Sequence, residues 1–153
     1  MVRNFSDRPP LSHSFNVQVG NFMGLDNNFS EVSGISKHFD NEKSYSGGDN
    51  AVQYNLPSRT SYDDLILKRG VIPSSSMLYE WCNNMVNGGV LNFIAPMPIF
   101  ISLLDEKGVP QVSWIFSNAY PIDLELSEFN AGENNIAIET MKFAYSWFER
   151  IPI

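Results

Sequence analysis

The chain has 153 residues, a formal net charge of −7, 43% hydrophobic and 13% aromatic residues, and one cysteine, Cys82. That length fits one domain able to bury a core without staples, and a single cysteine excludes an intrachain disulfide framework and every multi-cysteine metal or iron–sulfur site. The acidic balance argues against a phosphate-binding surface, and no apolar run approaches the roughly 18 residues that cross a bilayer.

Residues 1–14 read as an N-terminal arm. The stretch is polar and lacks an apolar h-region, which points to synthesis in the cytoplasm without a secretory signal. Phe15, Val17 and Val19 alternate with Asn16 and Gln18, the pattern of a half-buried strand. Gly20 to Asn28 is a turn-rich connection. Residues 29–55 then form a long expected hairpin whose tip is Ser46-Gly47-Gly48-Asp49-Asn50. Its two faces, Ser33/Ile35/Lys37/Phe39 and Val32/Gly34/Ser36/His38, are both only weakly apolar. A strand without an apolar face is poorly specified by its own core and calls for a partner.

Leu56-Pro57-Ser58-Arg59-Thr60 interrupts the pattern, and Asp64 to Arg69 resumes it up to Gly70. The spacing of Met77, Leu78, Trp81, Cys82, Met85 and Val86 predicts one helix over 75–87, with Gly88-Gly89 as its stop. Pro98 to Leu104 is a short apolar strand turned at Asp105 to Gly108. From Val112 to Leu126 nearly every even position is apolar; Asn118 breaks the alternation and, with Pro121, marks a bend or bulge. Residues 136–148 complete the sheet. The expected fold is mainly β: a single domain over 1–153 built as a two-sheet β-barrel or sandwich with one flanking α-helix and a long protruding β-hairpin.

The residues offer little chemistry. His13 lies in the arm, and His38 beside Asp40 is too local a pair for a catalytic triad. Cys82 sits on the apolar helix stripe, where a cysteine behaves as a small hydrophobe. The carboxylate pairs Asp63-Asp64, Asp105-Glu106 and Glu125/Glu128 read as solvated faces. Gly47-Gly48-Asp49 and Gly88-Gly89 match no phosphate-binding spacing. No catalytic residue, no metal site and no cofactor is expected, and no membrane insertion. The acids do cluster: Asp105, Glu106, Asp123, Glu125, Glu128, Glu133 and Glu139 stand against Lys107 alone between 105 and 139. A hairpin without an apolar face and strands with one acidic face are surfaces that a copy of the same chain can finish. Head-to-tail pairing that closes gives a ring, and sheets joined around it give a barrel wider than one chain can form.

Several stretches resemble a known family when taken in order: Phe29-Ser-Glu-Val-Ser-Gly-Ile35, Tyr45-Ser-Gly-Gly-Asp-Asn50, Leu56-Pro-Ser-Arg-Thr60 and Leu65-Ile-Leu-Lys-Arg-Gly-Val71. Trp81, Leu104-Asp-Glu-Lys-Gly108, Trp114 to Pro121 and Ile138-Glu-Thr-Met141 extend the likeness over about Phe15 to Arg150. Together they resemble the inner tube proteins of contractile phage tails and of phage-like contractile injection systems, the Hcp-like tube proteins of type VI secretion included. The resemblance implies a structural subunit, not an enzyme. It implies hexameric rings stacked into a hollow tube that sheath contraction drives through a target envelope, with cargo in the lumen. The implied partners are further copies of the chain, the sheath protein, and baseplate and tip proteins. The implied contacts between subunits and rings are Val32, Ile35, Lys37, Phe39, Lys43, Tyr45, Asp49, Tyr54, Asp105 and Lys107. Candidates for the lumen wall are Asp123, Glu125, Ser127 and Glu139, an acidic surface. The particle would be a phage tail or an injection machine, its tube ejected on contraction.

A different reading is a small carbohydrate- or ligand-binding β-sandwich, with Tyr45, Tyr54 and Tyr62 as a stacking platform. A weaker one is a hydrolase working with Asp63 and Asp64.

Overall fold

The computed structural model describes residues 14–20, 25–45, 53–71, 76–88, 96–127, 132 and 136–152. Nine strands and one helix follow in chain order among them: β1 (Ser14–Val19), β2 (Leu25–Ser33), β3 (Lys37–Tyr45), β4 (Gln53–Tyr62), β5 (Leu65–Gly70), α1 (Met77–Asn87), β6 (Met97–Leu104), β7 (Pro110–Leu126), β8 (Ile138–Ala144) and β9 (Trp147–Ile151).

Seven strands form one antiparallel sheet in the order β6-β1-β2-β5-β8-β7-β9, and a further pairing of β6 with β7 closes it into a barrel. Strand β7 makes the closure possible. Its first half pairs with β6 and β9, and its second half, from Tyr120, pairs with β8. The change of partner coincides with two irregularities. Asn118 adopts φ 52 where the β6–β7 register shifts, and the β7–β8 register shifts again between Pro121 and Asp123. A bulge moves the following side chains to the other face. Phe116 therefore points inward, then Ala119 and Pro121, then Leu124. Ile122, on the even stripe, is left exposed at the second shift.

The core is the inner lining of the barrel. Val17, Val19, Phe29, Leu65, Leu67, Ile99, Ile101, Phe116, Met141, Phe143 and Phe148 are buried together. Helix α1 covers this core with Leu78 and Cys82, and Trp81 stacks on Phe143 with ring centroids 5.8 Å apart. Burying a side chain the size of Leu78 contributes about 1.5–3 kcal/mol. The helix begins where Ser76 caps it, its Oγ accepting the Tyr79 N–H at 3.1 Å. Gly88 N–H closes the last turn on Asn84 O at 2.9 Å.

The hairpin differs from the expected 29–55. Phe29 to Ser33 belong to β2 in the main sheet, paired with β5, and the projecting ribbon is β3 with β4, Lys37 to Tyr62. The reason is side-chain parity. Phe29, Leu65 and Leu67 all point into the core, so the first part of the ribbon is held down. Beyond Ser33 and Leu65 the apolar stripe ends, and the ribbon leaves the barrel. The expected single run 136–148 likewise divides into β8 and β9, separated at Tyr145-Ser146.

Candidate assembly surfaces

The root of the hairpin is a built joint. Gly34 takes φ 86, and a Cβ there would overlap the Asp64 carbonyl oxygen, so only glycine fits between β2 and the β4–β5 connection. Tyr145 donates its hydroxyl to Gly34 O at 3.3 Å. His38 Nε2 lies 2.9 Å from Asp63 Oδ2, and this hydrogen bond holds the Asp63 carboxyl below the usual carboxylate range. Lys37 Nζ sits 3.8 Å from Glu149 and 4.8 Å from the centre of the Phe148 ring. Tyr62 packs on Tyr145 and Phe148, each with centroids 5.7 Å away. Burial pushes the Tyr145 phenol up to about 12, helped by the negative charges of Asp63 and Asp64 and by Tyr62.

The expected contact residues therefore divide. Val32 and Ile35 are half-buried against the core. Lys37 is engaged with Glu149 and Phe148, whereas Phe39 is 66% exposed. Lys43, Tyr45 and Tyr54 lie on the ribbon, in the registers Lys43–Asn55, Ser44–Tyr54 and Tyr45–Gln53. Asp49 and residues 1–13 lie outside the described residues. Asp105 caps its own turn, accepting the N–H groups of Lys107 and Val109 at 2.8 and 2.9 Å, while the Lys107 side chain is exposed. As for the tyrosine platform, Tyr62 belongs to the aromatic cluster at the joint.

A second surface is the outer face of the four strands β2, β5, β8 and β7. Its cross-strand rows read Glu31–Lys68–Thr140–Glu125 and Ser33–Ile66–Lys142–Asp123. Lys68 pairs with Glu31 at 3.9 Å and Lys142 with Asp123 at 3.8 Å. Glu125 is exposed with no ion pair among the described residues, and Ser127 Oγ accepts the Ile138 N–H at 2.8 Å. The face is thus one of mixed charge, three carboxylates against two ammonium groups, not the acidic wall expected. The bases come from β5 and β8, outside or at the end of the acidic tract, and only the pairing brings them in.

Glu139 is a correction. It points to the opposite face, is 7% exposed, and accepts a hydrogen bond from Arg69 Nε at 3.1 Å. Arg69, 1% exposed, also donates from Nη2 to Ser76 Oγ at 2.8 Å and lies 4.8 Å from the Phe29 ring centre. One guanidinium thus ties β5 to β8, to β2 and to the cap of α1. The sequence did carry a signal for it: Arg69 stands on the same parity as Leu65 and Leu67, and a charge on a buried parity demands a partner.

Among the described residues no cluster of three His, Cys, Asp or Glu side chains could hold a metal, and no helix is long and apolar enough to cross a membrane. Cys82 is fully buried, as its place on the helix stripe suggests. What the described residues present is a barrel with a charged outer sheet and a separate two-stranded ribbon. The chain belongs to the T4-like virus tail tube protein gp19 family, whose model matches residues 11–149. No protein of curated function matches it.

Solved structures agree. A chain of the PVC extracellular contractile injection system, from its sheath–tube complex in the extended state, is similar at 25% identity and TM-score 0.80, with 99% of this chain and 100% of that chain covered. A chain from the tube-terminating cap of the anti-feeding prophage is similar at 28% identity and TM-score 0.78, covering 96% and 93%. Hcp1 of Flavobacterium johnsoniae, at 13% identity and TM-score 0.55 over 90% and 94%, shares the fold. The protein is a tail tube structural protein of the kind found in phage tails and contractile injection systems.

Proposed function

We propose that six copies of this chain close into a ring, that rings stack into a hollow tube, and that a contracting sheath drives this tube through a target envelope with cargo in its lumen. The observation that carries the ring is the pair of open edges on the four-stranded face. Among the described residues, β1 pairs with β2 only as far as Phe29, leaving Ser30 to Ser33 without a neighbour on that side. On the other flank the described part of β6 leaves β7 at Ala119, and Tyr120 to Leu126 have no neighbour on that side among the described residues. Open edges invite strand addition. In the all-antiparallel order β2-β5-β8-β7, the outer strands run in opposite directions, so β7 of one copy and β2 of the next meet antiparallel.

Six copies of four strands, spaced about 4.8 Å and tilted as barrel strands are, enclose a wall about 45–50 Å across at the backbone. Asp123, Glu125 and Ser127 then face the lumen beside Lys68 and Lys142, a hydrated wall of paired charges to which cargo adheres weakly. The subunit does no chemistry of its own and works with sheath, baseplate and tip proteins. The test is negative-stain electron microscopy of the concentrated protein. Sixfold rings with an inner wall of that backbone diameter, narrowed by the side chains that line it, are expected; a species that stays monomeric under every assembly condition would refute the proposal.

A further inference from the structure

Two arginines stand at inward positions of the barrel strands, and their surroundings differ. Arg69 finds Glu139 and Ser76 inside. Arg150, on β9, stands on the same face as the buried Phe148 and pairs across the ladder with Trp114, which packs on the core. The barrel opens there, so Arg150 is exposed, and among the described residues its guanidinium has no ion pair or hydrogen bond. Beside it lies a cavity of about 440 Å³ lined by Gln111, Val112, Arg150, Ile151 and Pro152. The cavity sits where a ladder stops. β9 pairs with β7 as far as Ser113–Ile151, and Pro152 has no N–H with which to carry the pairing on to Val112. Val112, Ile151 and Pro152 give apolar walls. Gln111 is already committed, its amide donating to Asp105 Oδ2 at 3.2 Å and to Val109 O at 3.3 Å. The one acid of β9, Glu149, stands on the opposite face with Lys37 at 3.8 Å. β9 is also the last strand of its sheet: it pairs with β7, and among the described residues no strand runs along its other side.

We infer that β9 and this cavity form a strand-addition site for an extended segment of another protein, which lies along the free edge and delivers a carboxylate to Arg150. A free edge supplies main-chain donors and acceptors, and a cavity at its end selects what arrives there. The volume lies within the range of pockets that hold small ligands. A guanidinium offers two parallel N–H groups to one carboxylate, which fixes orientation and adds strength. The apolar walls call for an aliphatic side chain next to that carboxylate. The segment is therefore rich in β-branched or aliphatic residues and closes on an acid or on a free chain end. The site lies within one subunit, on an edge that the proposed ring does not use, so it does not rest on the ring.

Two fluorescein-labelled hexapeptides test it, Thr-Val-Thr-Val-Thr-Leu with a free C-terminal carboxylate and the same sequence as its amide, read by fluorescence anisotropy. The acid is expected to bind with a Kd of about 0.1 mM, and the amide about tenfold more weakly or worse. Arg150→Gln brings the acid to the level of the amide. Arg59→Gln, at an exposed base outside the cavity, leaves both affinities unchanged. Both arginines are exposed, so the melting temperatures of the two variants stay at the parent value. The acid methylated on its backbone nitrogens loses binding, because it cannot join a strand edge. Equal binding of acid and amide, binding that survives Arg150→Gln or methylation, or no binding of the acid at millimolar concentration overturns the site. Sedimentation velocity of Arg150→Gln beside the parent covers the other occupant. An oligomer lost in the variant, with no peptide bound by the parent, would seat a second copy there and overturn the assignment to another protein.

Discussion

Arg69 donates from Nε to Glu139 Oε2 at 3.1 Å inside the barrel, joining the last inward position of β5 to the first of β8 where both side chains are buried. The pair holds up more than itself, because Arg69 Nη2 also reaches Ser76 Oγ, the atom that caps α1. The helix lid is therefore fastened to the sheet through a charge. Removing one partner breaks a buried ion pair, which costs about 3–5 kcal/mol. Glu139→Ala is expected to lower the urea unfolding free energy by that amount. The double replacement Arg69→Met with Glu139→Leu recovers most of it, since an apolar pair of similar volume needs no ion partner.

Gly34 and Gly108 give a matched comparison. Both have positive φ, 86 and 76, but a Cβ on Gly34 would overlap Asp64 O whereas one on Gly108 meets nothing within 4 Å. Gly108→Ala is expected to cost only the left-handed conformational penalty, about 1–2 kcal/mol. Gly34→Ala carries that penalty and must also displace the Asp64 backbone, so its melting temperature falls further. Hydrogen exchange of β3 and β4 separates the two effects: protection there drops in the Gly34 variant alone, because the joint is what orders the root.

Much of this architecture was legible in the residues and some was not, for a physical reason in each case. Alternation in Phe15-Asn-Val-Gln-Val19 and Leu65 to Arg69, and the 3.6-residue stripe from Leu78 to Cys82, report burial directly, and β1, β5 and α1 stand where they indicate. Alternation fails where backbone geometry changes the count. The shifts at Asn118 and Pro121 exchange the inward parity of β7 twice, so Ile122 on the apolar stripe is exposed while Ala119 is buried. The hairpin limits depend on which half of the ribbon finds a sheet to join, a long-range fact. Glu139 looked like one more acid of a solvated tract, because the arginine that claims it is seventy residues away in sequence. The mixed charge of the outer face was hidden for the same reason: Lys68 and Lys142 reach it only through strand pairing.

Tyr145 links the joint to pH. Folding raises its phenol from 10.0 to about 12, chiefly by burial and then by the charges of Asp63 and Asp64. The fold thus favours the neutral phenol; its contribution is complete below pH 10 and is lost as pH rises from 10 to about 12. Absorbance titration at high pH should show a late-ionising tyrosine component that is missing from Tyr145→Phe. The Asp63 carboxyl shifts the opposite way, lowered by His38, so its small contribution is present above its ordinary value of 3.8 and disappears in stronger acid.

The ring proposal makes an electrostatic demand as well. Where β7 of one copy adjoins β2 of the next, Asp123 and Glu125 come beside Glu31. Lys142 and Lys68 compensate Asp123 and Glu31, on strands one step inside each edge, but Glu125 has only Thr140 across from it. Like charges brought together at a surface repel, and salt screens them over about 10 Å at 0.1 M. Ring formation is therefore expected to strengthen as salt rises from low to physiological concentration, as apolar and backbone contacts would not by themselves require. Sedimentation velocity of the parent, Glu125→Gln and Glu80→Gln measures this. Glu125→Gln should form rings at low salt as the parent does at high salt, with a flattened salt dependence. Glu80→Gln, which removes one acid from the exposed face of α1, should follow the parent curve. Should both variants shift ring formation equally, net charge and not the strand edge is what salt screens.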